Sequence, residues 1–401
     1  KKDFEKAIKS KNKIKFKNIY VRGNNSFFTL FTSGSTGMPK GITHSTAGYL
    51  LYTRLTCEKK FGMNKNSIVL TGSDAGWING HTYSLFGPLL FGSTTILLET
   101  PISILDETLL NKLLRMGVTV LYLPVTLLRL MKSISKIKKF KKKITALGSM
   151  GEPLASSVAK WFSKNFSTIR NQSIVNTYFQ TETGGILLSP KYNQISKNSY
   201  FGSVGTAINK YLKINRLNSR TKKEIKVLSP WPGMMIDVVN GKKEWNKYWD
   251  QNNNFRLFDL ATKNHGNVFI HGRNDDVINI RGHRIGSNEI ESTILKIKEV
   301  IEACAVSIID ELEGSKIYLF TVCKKNVDAK IEKIIKSTFG SYALPKKIIH
   351  LPELPKTKSG KILRRLLRRL IENPKLNNLG DTSTILNYRS IDVVKQKLEN
   401  L

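Results

Sequence analysis

From Phe27 to about Asp259 the chain alternates short apolar runs rich in branched residues with longer stretches in which apolar residues recur every three or four positions. That alternation is what layered α/β packing requires, because each sheet face and each helical stripe must find an apolar partner. The pattern predicts strands over residues 27–31, 67–71, 94–98, 118–123, 144–147 and 173–177, with helices over 47–60, 107–116 and 156–165. A hairpin-like segment at 266–271 gives way near 272–276 to a second unit. There Ser287 or Asn288 is placed to cap a helix whose apolar face includes Ile290, Ile294 and Leu295, and strand-like runs follow at 303–309 and 317–322. The expected organisation is an α/β domain over 1–274 and a small α+β domain over 275–401, without internal repeats.

With 401 residues the chain can bury a large core. Cys57, Cys304 and Cys323 form no CxxC pair, so neither a disulfide framework nor a zinc site is indicated, and a reducing compartment fits best. No apolar run approaches the roughly 20 residues that span a bilayer, so membrane insertion is not expected. The net charge of +35 would suit a nucleic-acid partner, but lysine is spread along the whole chain with abundant Asn and Ile, which is a compositional bias and not one basic face. No nucleic-acid partner is therefore expected. The lysine run at 136–143 reads as a solvated edge, whereas 364–369 carries Leu366 and Leu367, flanked by Leu363 and Leu370, at helical spacing and reads as an amphipathic helix.

The most specific chemical signal is the string Thr32-Ser33-Gly34-Ser35-Thr36-Gly37-Met38-Pro39-Lys40-Gly41, directly after an apolar strand. Its glycines let the backbone approach an anion, its amides and hydroxyls can cradle phosphate oxygens, and Lys40 adds charge. The order is not GxxxxGK[ST], so this is a phosphate loop of a different kind.

Together with Gly151-Glu152-Pro153, the run Tyr178 to Gly185 (YFQTETGG), Asp259, the run Gly272 to Gly282 (GRNDDVINIRG) with Arg284, and PKTKSGK ending at Lys361, this string resembles the adenylate-forming acyl-CoA synthetase superfamily. Segments such as DAGWINGHTYSLFGPLLFG and RGHRIGSNEIES resemble AMP-forming acetyl-CoA synthetases in particular. The resemblance implies a large adenylate-forming domain of β-sheets flanked by helices, incomplete at its N-terminus, plus a small mobile C-terminal domain with a hinge at Asp275. It implies acetate activation by ATP through an acetyl-adenylate and transfer to CoA, with Mg²⁺, in a cytoplasmic or also nuclear enzyme acting on small molecules. Propionate or another short acid is the alternative substrate, and a non-catalytic nucleotide- or RNA-binding protein a remote one.

The chemistry asks for such residues. A carboxylate attacks the α-phosphate of ATP and expels pyrophosphate, so cations and preorganised donors around the phosphates are the useful parts. By resemblance, Lys361, Thr181 and Glu182 are catalytic; Glu182 holds Mg²⁺, with Thr36 as a possible helper. Gly151, Glu152, Pro153, Asn176, Thr177, Tyr178, Phe179, Gln180, Thr181, Asp259, Arg273 and Arg284 would surround the nucleotide, with Asp259 accepting from both ribose hydroxyls. Trp77, Ile78, Asn79, Met150 and Phe179 would form the acyl pocket. Asn79, Arg281, Gly282 and Lys336 would contact CoA.

Some positions depart from the pattern. Phe179 stands where acetyl-specific relatives carry tryptophan, and the smaller ring opens a question of acetate against propionate that one methylene, worth about 1–3 kcal/mol, would decide. Arg281 replaces a serine, Lys336 an arginine, and Asn176 an aspartate.

Overall fold

The computed structural model describes residues 18–32, 40–74, 76–98, 107–134, 144–167, 169–197, 200–239, 241–274, 277–280, 283–310, 314–357, 360–376, 378–379 and 385–400. The first described elements are β1 (Ser26–Thr32) and β2 (Lys40–Ser45), an antiparallel pair whose register sets Thr32 opposite Lys40. Helix α1 (Thr46–Thr56) follows, then β3 (Ile68–Thr71) and β4 (Thr94–Ile96). Next come α2 (Glu107–Arg115), β5 (Val120–Pro124), α3 (Val125–Ile134), β6 (Ala146–Met150), α4 (Ser156–Phe166) and β7 (Val175–Asn176).

β4, β3, β5, β6 and β7 form one parallel sheet in that spatial order. Its central strands β3, β5 and β6 are almost wholly buried because both faces are covered. Along β5, Leu121 and Leu123 point into a core made with Leu110, Leu114, Leu128, Phe162 and Phe166 of the helices. Val120 and Tyr122 point the other way, against Cys57, Phe61, Tyr83 and Ile186. Each parallel strand ends at the same edge of the sheet, where β5 runs into α3 and β6 into Gly151. This edge gathers the segments that the sequence pattern assigns to nucleotide and acyl contacts.

Antiparallel strands build the next core. β8 (Leu188–Ser189) pairs with β9 (Thr206–Ala207), and β10 (Lys223–Val227), β12 (Phe255–Asn264) and β13 (Asn267–Arg273) form a sheet. β11 (Asp237–Val239) joins β2, and helix α5 (Lys242–Lys247) lies between β11 and β12. Beyond them, β14 (Val277–Ile280) and β15 (His283–Gly286) make a hairpin ahead of α6 (Ser287–Ile294). The last sheet is β16 (Val300–Asp310), β17 (Gly314–Cys323) and β18 (Lys347–His350). Helix α7 (Asp328–Phe339) lies between β17 and β18 in the chain, and α8 (Arg364–Glu372) and α9 (Arg389–Glu399) complete the fold. Strand alternation again decides the layers: Ala303 and Ala305 face Ile290, Ile294, Ile331 and Ile335. Cys304 and Val306 face Leu366, Leu367, Leu370 and Ile391.

Most of the predicted elements appear within a few residues of their expected limits, and the amphipathic helix at 364–369 does bury Leu366, Leu367 and Leu370. Some expectations are corrected. The residue that caps α6 is Gly286 and not Ser287 or Asn288; the N–H of Gly286 donates to Glu289 Oε2 at 3.1 Å, while Ser287 is buried. The first helix ends at Thr56 and continues as one wide π-helical turn over Cys57–Phe61, closed by Gly62 in the left-handed region. The lysine run at 136–143 lies outside the described residues. Among the described residues no helix is long and apolar enough to cross a membrane.

Candidate active site

The run Thr181 to Ile186 follows the end of β7 and is tied down by its backbone carbonyls. His44 Nε2 donates to Thr181 O at 2.8 Å, the Met235 N–H to Glu182 O at 2.9 Å, and Trp231 Nε1 to Thr183 O at 3.0 Å. Thr82 Oγ1 donates to Gly184 O at 3.2 Å and Tyr52 Oη to Ile186 O at 2.8 Å. Gly184 sits at φ +67°, and a Cβ there would lie 2.2 Å from the carbonyl oxygen of Gly233, so only glycine fits. His44 is completely buried, and burial holds its imidazole down to about 4, so at neutral pH it is an uncharged ring with the proton on Nε2.

A rigid backbone of this kind fixes the side chains that leave it. Tyr248 Oη donates to Glu182 Oε1 at 2.5 Å. Tyr178 Oη donates to Asp259 Oδ2 at 2.7 Å, and Gln180 Nε2 donates to the same oxygen at 2.7 Å and to Leu257 O at 2.6 Å. Burial, then the neighbouring Asp259, push the Tyr178 phenol well up, so it stays a donor.

Asp259 is presented by an irregular stretch of β12. The β10–β12 ladder slips between Glu224 and Lys226, and Phe258 adopts φ +57°, which a bulky residue rarely accepts. Its ring is kept there by Tyr248 at 5.6 Å and by the guanidinium groups of Arg256 at 4.7 Å and Arg273 at 5.6 Å. Opposite Asp259 in the β12–β13 ladder stands Arg273. The nucleotide-type residues Tyr178, Gln180, Asp259 and Arg273 are thus brought together.

Thr32 and Lys40 close the base of the phosphate loop as a cross-strand pair; Ser33, Gly34, Ser35, Thr36 and Gly37 lie outside the described residues. Lys40 Nζ pairs with Glu244 Oε2 at 2.7 Å and lies 5.4 Å from the centre of the Tyr248 ring. The loop's base and the Thr181–Gly185 run therefore meet through Tyr248. Sequence reasoning missed Tyr248, Glu244 and His44. The available signal was the four-residue spacing of Glu244 and Tyr248, which puts both on one helical face.

At the edge of the parallel sheet, Gly151 takes φ +89° at the end of β6 with open space around its Cα, and Pro153 follows it half-buried. Glu152 is held by Arg129 of α3 at 2.7 Å. The side chains of Asn176 and Thr177 are engaged behind this edge. Asn176 Nδ2 donates to Gly202 O at 3.1 Å and Ser203 O at 3.0 Å while its Oδ1 accepts from Ser149; Thr177 Oγ1 donates to Ser149 O at 2.9 Å. Asn176 thus braces the turn at Gly202 and Ser203. Of the acyl-pocket residues, Asn79 contacts Met150 Sδ through its amide nitrogen, and Phe179 meets Tyr83 edge-on at 5.5 Å. Ile78 is buried and Trp77 half-buried beside them in the chain.

Lys361 is exposed at the end of a tight loop: the Gly360 N–H donates to Thr357 O at 2.8 Å and Thr357 N–H to Lys361 O at 2.9 Å. Gly360, at φ +85°, lies against Thr126 at the start of α3; a Cβ on it would come 3.1 Å from Thr126 Oγ1. The loop therefore rests on the edge of the parallel sheet that carries Gly151. Asp275, Arg281 and Gly282 lie outside the described residues, as does the side chain of Arg284 on β15. Lys336 is exposed in the last turn of α7, whose Ile331 and Ile335 pack in the C-terminal core.

These features define an α/β protein with a buried carboxylate opposite an arginine, and a lysine loop resting on the start of α3 at the edge of the parallel sheet. Residues 2–230 match the AMP-binding enzyme family and residues 289–361 match the AMP-binding enzyme C-terminal domain. The chain belongs to the AMP-binding enzyme family.

It is 34% identical over 399 residues to acetyl-coenzyme A synthetase 2 of Candida albicans, a match covering 93% of this chain and 59% of that protein. To acetyl-coenzyme A synthetase 1 of Debaryomyces hansenii it is 34% identical over 407 residues, covering 95% and 60%. Saccharomyces cerevisiae acetyl-coenzyme A synthetase 2 is 32% identical, with 93% and 59% covered. The chain thus spans about 60% of the length of these relatives. Among solved structures, an anthranilate CoA ligase in complex with anthranoyl-AMP has a TM-score of 0.74 at 20% identity, covering 86% of this chain and 67% of that one. ATP-bound MatB from Rhodopseudomonas palustris has a TM-score of 0.76 at 20% identity, covering 89% and 70%. At this identity the likeness is one of fold.

Proposed function

We propose that the chain carries the adenylating and thioester-forming machinery of an AMP-forming acetate–CoA ligase, working on ATP, acetate and CoA. The observation that carries this reading is the Lys361 loop lying, through Gly360, against Thr126 at the start of α3, the helix whose Arg129 holds Glu152 next to Gly151. In this reading the acid's carboxylate oxygen bonds to the α-phosphorus while the bond to pyrophosphate breaks. Lys361 lies between the two anions and lowers their repulsion, and Thr181 donates to the α-phosphate. Asp259, which accepts from Tyr178 and Gln180 through Oδ2, would accept from the ribose hydroxyls, and Arg273 stands opposite it in the ladder. Glu182, with Thr36 of the loop, offers the hard oxygen donors that suit Mg²⁺, and the ion would neutralise the phosphates.

The thiol of CoA then attacks the acyl carbon and AMP leaves. For this step the region after about residue 274 turns about Asp275, withdrawing Lys361 and bringing Arg281, Gly282 and Arg284 to the site, with Lys336 toward the coenzyme. Phe179 against Tyr83, with Met150 on Asn79, closes a pocket for a short acid.

The test is acid-dependent exchange of labelled pyrophosphate into ATP by the protein in its natural full length, with acetate and propionate compared. Acetate-dependent exchange that Lys361→Ala reduces at least ~100-fold is the expected result. Exchange indifferent to Lys361, or absent with every short acid, overturns the reading. A preference for propionate moves the substrate assignment and leaves the chemistry in place.

A further inference from the structure

We propose that Tyr248 is a positioning residue that aims the Glu182 carboxylate at a phosphate-bound divalent cation and locks that carboxylate to the base of the phosphate loop. The proposal rests on the functional reading above and deepens it. Three chain segments far apart in sequence converge on this phenol: the start of β2, the Thr181–Gly185 run and the end of α5.

Glu182 leaves a backbone whose carbonyl is fixed by Met235, but its side chain has rotatable bonds that the backbone does not control. The Tyr248 hydroxyl, 2.5 Å from Oε1, removes that freedom and leaves Oε2 as the oxygen to present. Tyr248 cannot itself wander. Its ring stacks on Phe255 at 5.6 Å with 11° between planes and meets Phe258 edge-on at 5.6 Å. The Tyr248 N–H to Trp245 O bond of 3.1 Å continues the last turn of α5.

Lys40 completes the junction. Its ammonium is shared between Glu244 and the Tyr248 ring, so the phenol that orients the carboxylate also borders the cation at the base of the phosphate loop. The hydroxyl donates toward a carboxylate oxygen that can only accept. Outer partners of this kind commonly change metal affinity by about 10–100-fold when removed.

Tyr248→Phe deletes only the hydroxyl and keeps the ring packing. Calorimetric titration of the full-length protein with ATP, in excess Mg²⁺ and in EDTA, reads the coupling between the nucleotide and the cation without turnover. Tyr248→Phe should weaken binding of the magnesium nucleotide about 10-fold or more, while metal-free ATP binds within about 2-fold of the parent. Glu182→Gln should lose the same coupling, and the double variant should be no worse than Glu182→Gln alone. Equal weakening with and without Mg²⁺, or additive losses in the double variant, overturns the positioning role. Absence of any nucleotide binding by the parent protein would overturn the functional reading itself, and the proposal with it.

Discussion

Arg364 offers the sharpest test of what holds the C-terminal region together. Its Nε donates to Glu291 Oε1 at 3.2 Å, its Nη2 reaches Glu291 Oε2, and the same nitrogen donates to Asn288 Oδ1 at 3.2 Å, so α8 is fastened to α6 through a nearly buried pair. Glu291 is 7% exposed. Burial raises its carboxyl above the usual range, with Arg364 pulling the other way; at Arg364 burial is again the largest single influence, but Glu291 together with Cys304 and Glu152 outweighs it and keeps the guanidinium charged. The carboxyl can relieve its burial by taking up a proton, which the always-charged guanidinium cannot do by losing one.

Arg364→Met keeps the stem and removes the charge, leaving the Ala305 N–H, at 2.8 Å, to support the buried carboxylate. Breaking a buried pair from one side costs about 3–5 kcal/mol. With urea slopes of about 1–3 kcal/mol per molar, the unfolding midpoint should fall by at least ~1 M at pH 8. The variant's Glu291 escapes part of that cost by taking up a proton. Its folded pKa then lies further above the unfolded value of about 4.3. The folded state binds more protons, so the stability from protonation is complete below the unfolded pKa and is lost as pH rises through the folded one. The parent's Glu291 is raised as well, so the deficit should shrink by up to about 1.4 kcal/mol per pH unit as pH falls from the variant's folded value to the parent's. Urea unfolding followed by circular dichroism at pH 8 and pH 5, with hydrogen exchange at the Ala305 amide, reads both. A deficit under ~1 kcal/mol at pH 8, or one of the same size at both pH values, refutes the argument.

His44 gives a second pH signature: with the folded imidazole at about 4 against an ordinary 6.5, its contribution is complete above pH 6.5 and is lost as pH falls toward 4, about 2 kcal/mol between pH 7 and 5. Denaturant titrations of the parent and His44→Gln should differ in slope over that interval. Gly184→Ala should cost at least ~3 kcal/mol by thermal unfolding, because a left-handed residue would place its Cβ against the Gly233 carbonyl. Asp259→Asn should weaken ATP binding about 10-fold or more in calorimetry while lowering the melting temperature little, since the amide can still accept from Tyr178.

The parallel sheet was legible because its central strands carry short, mostly apolar runs with helical stretches between them, and both properties follow from burial on two faces. β2 was not anticipated. Lys40 to Ser45 mixes Lys, Thr, His and Ser, and its burial comes from β1 and β11 on its flanks, which no local period reveals. The cap of α6 was misplaced for a related reason. Ser287 has the side chain a cap prefers, but β15 delivers the backbone so that Gly286 takes the extended capping conformation and Glu289 reaches back to it.

The site shows the same division. Glycine and hydroxyl strings announce themselves because their composition is the chemistry. Tyr248 does not, since nothing in KKEWNKYW says that its phenol will meet a glutamate that precedes it by 66 residues. Phe258 is the extreme case: its side chain argues for regular strand, and the positive φ it accepts is visible only once Arg256, Arg273 and Tyr248 surround its ring. That strained turn also sets the direction in which Asp259 leaves the strand. A local preference is thus overruled at the residue beside the candidate ribose ligand, where a regular ladder would aim the carboxylate elsewhere.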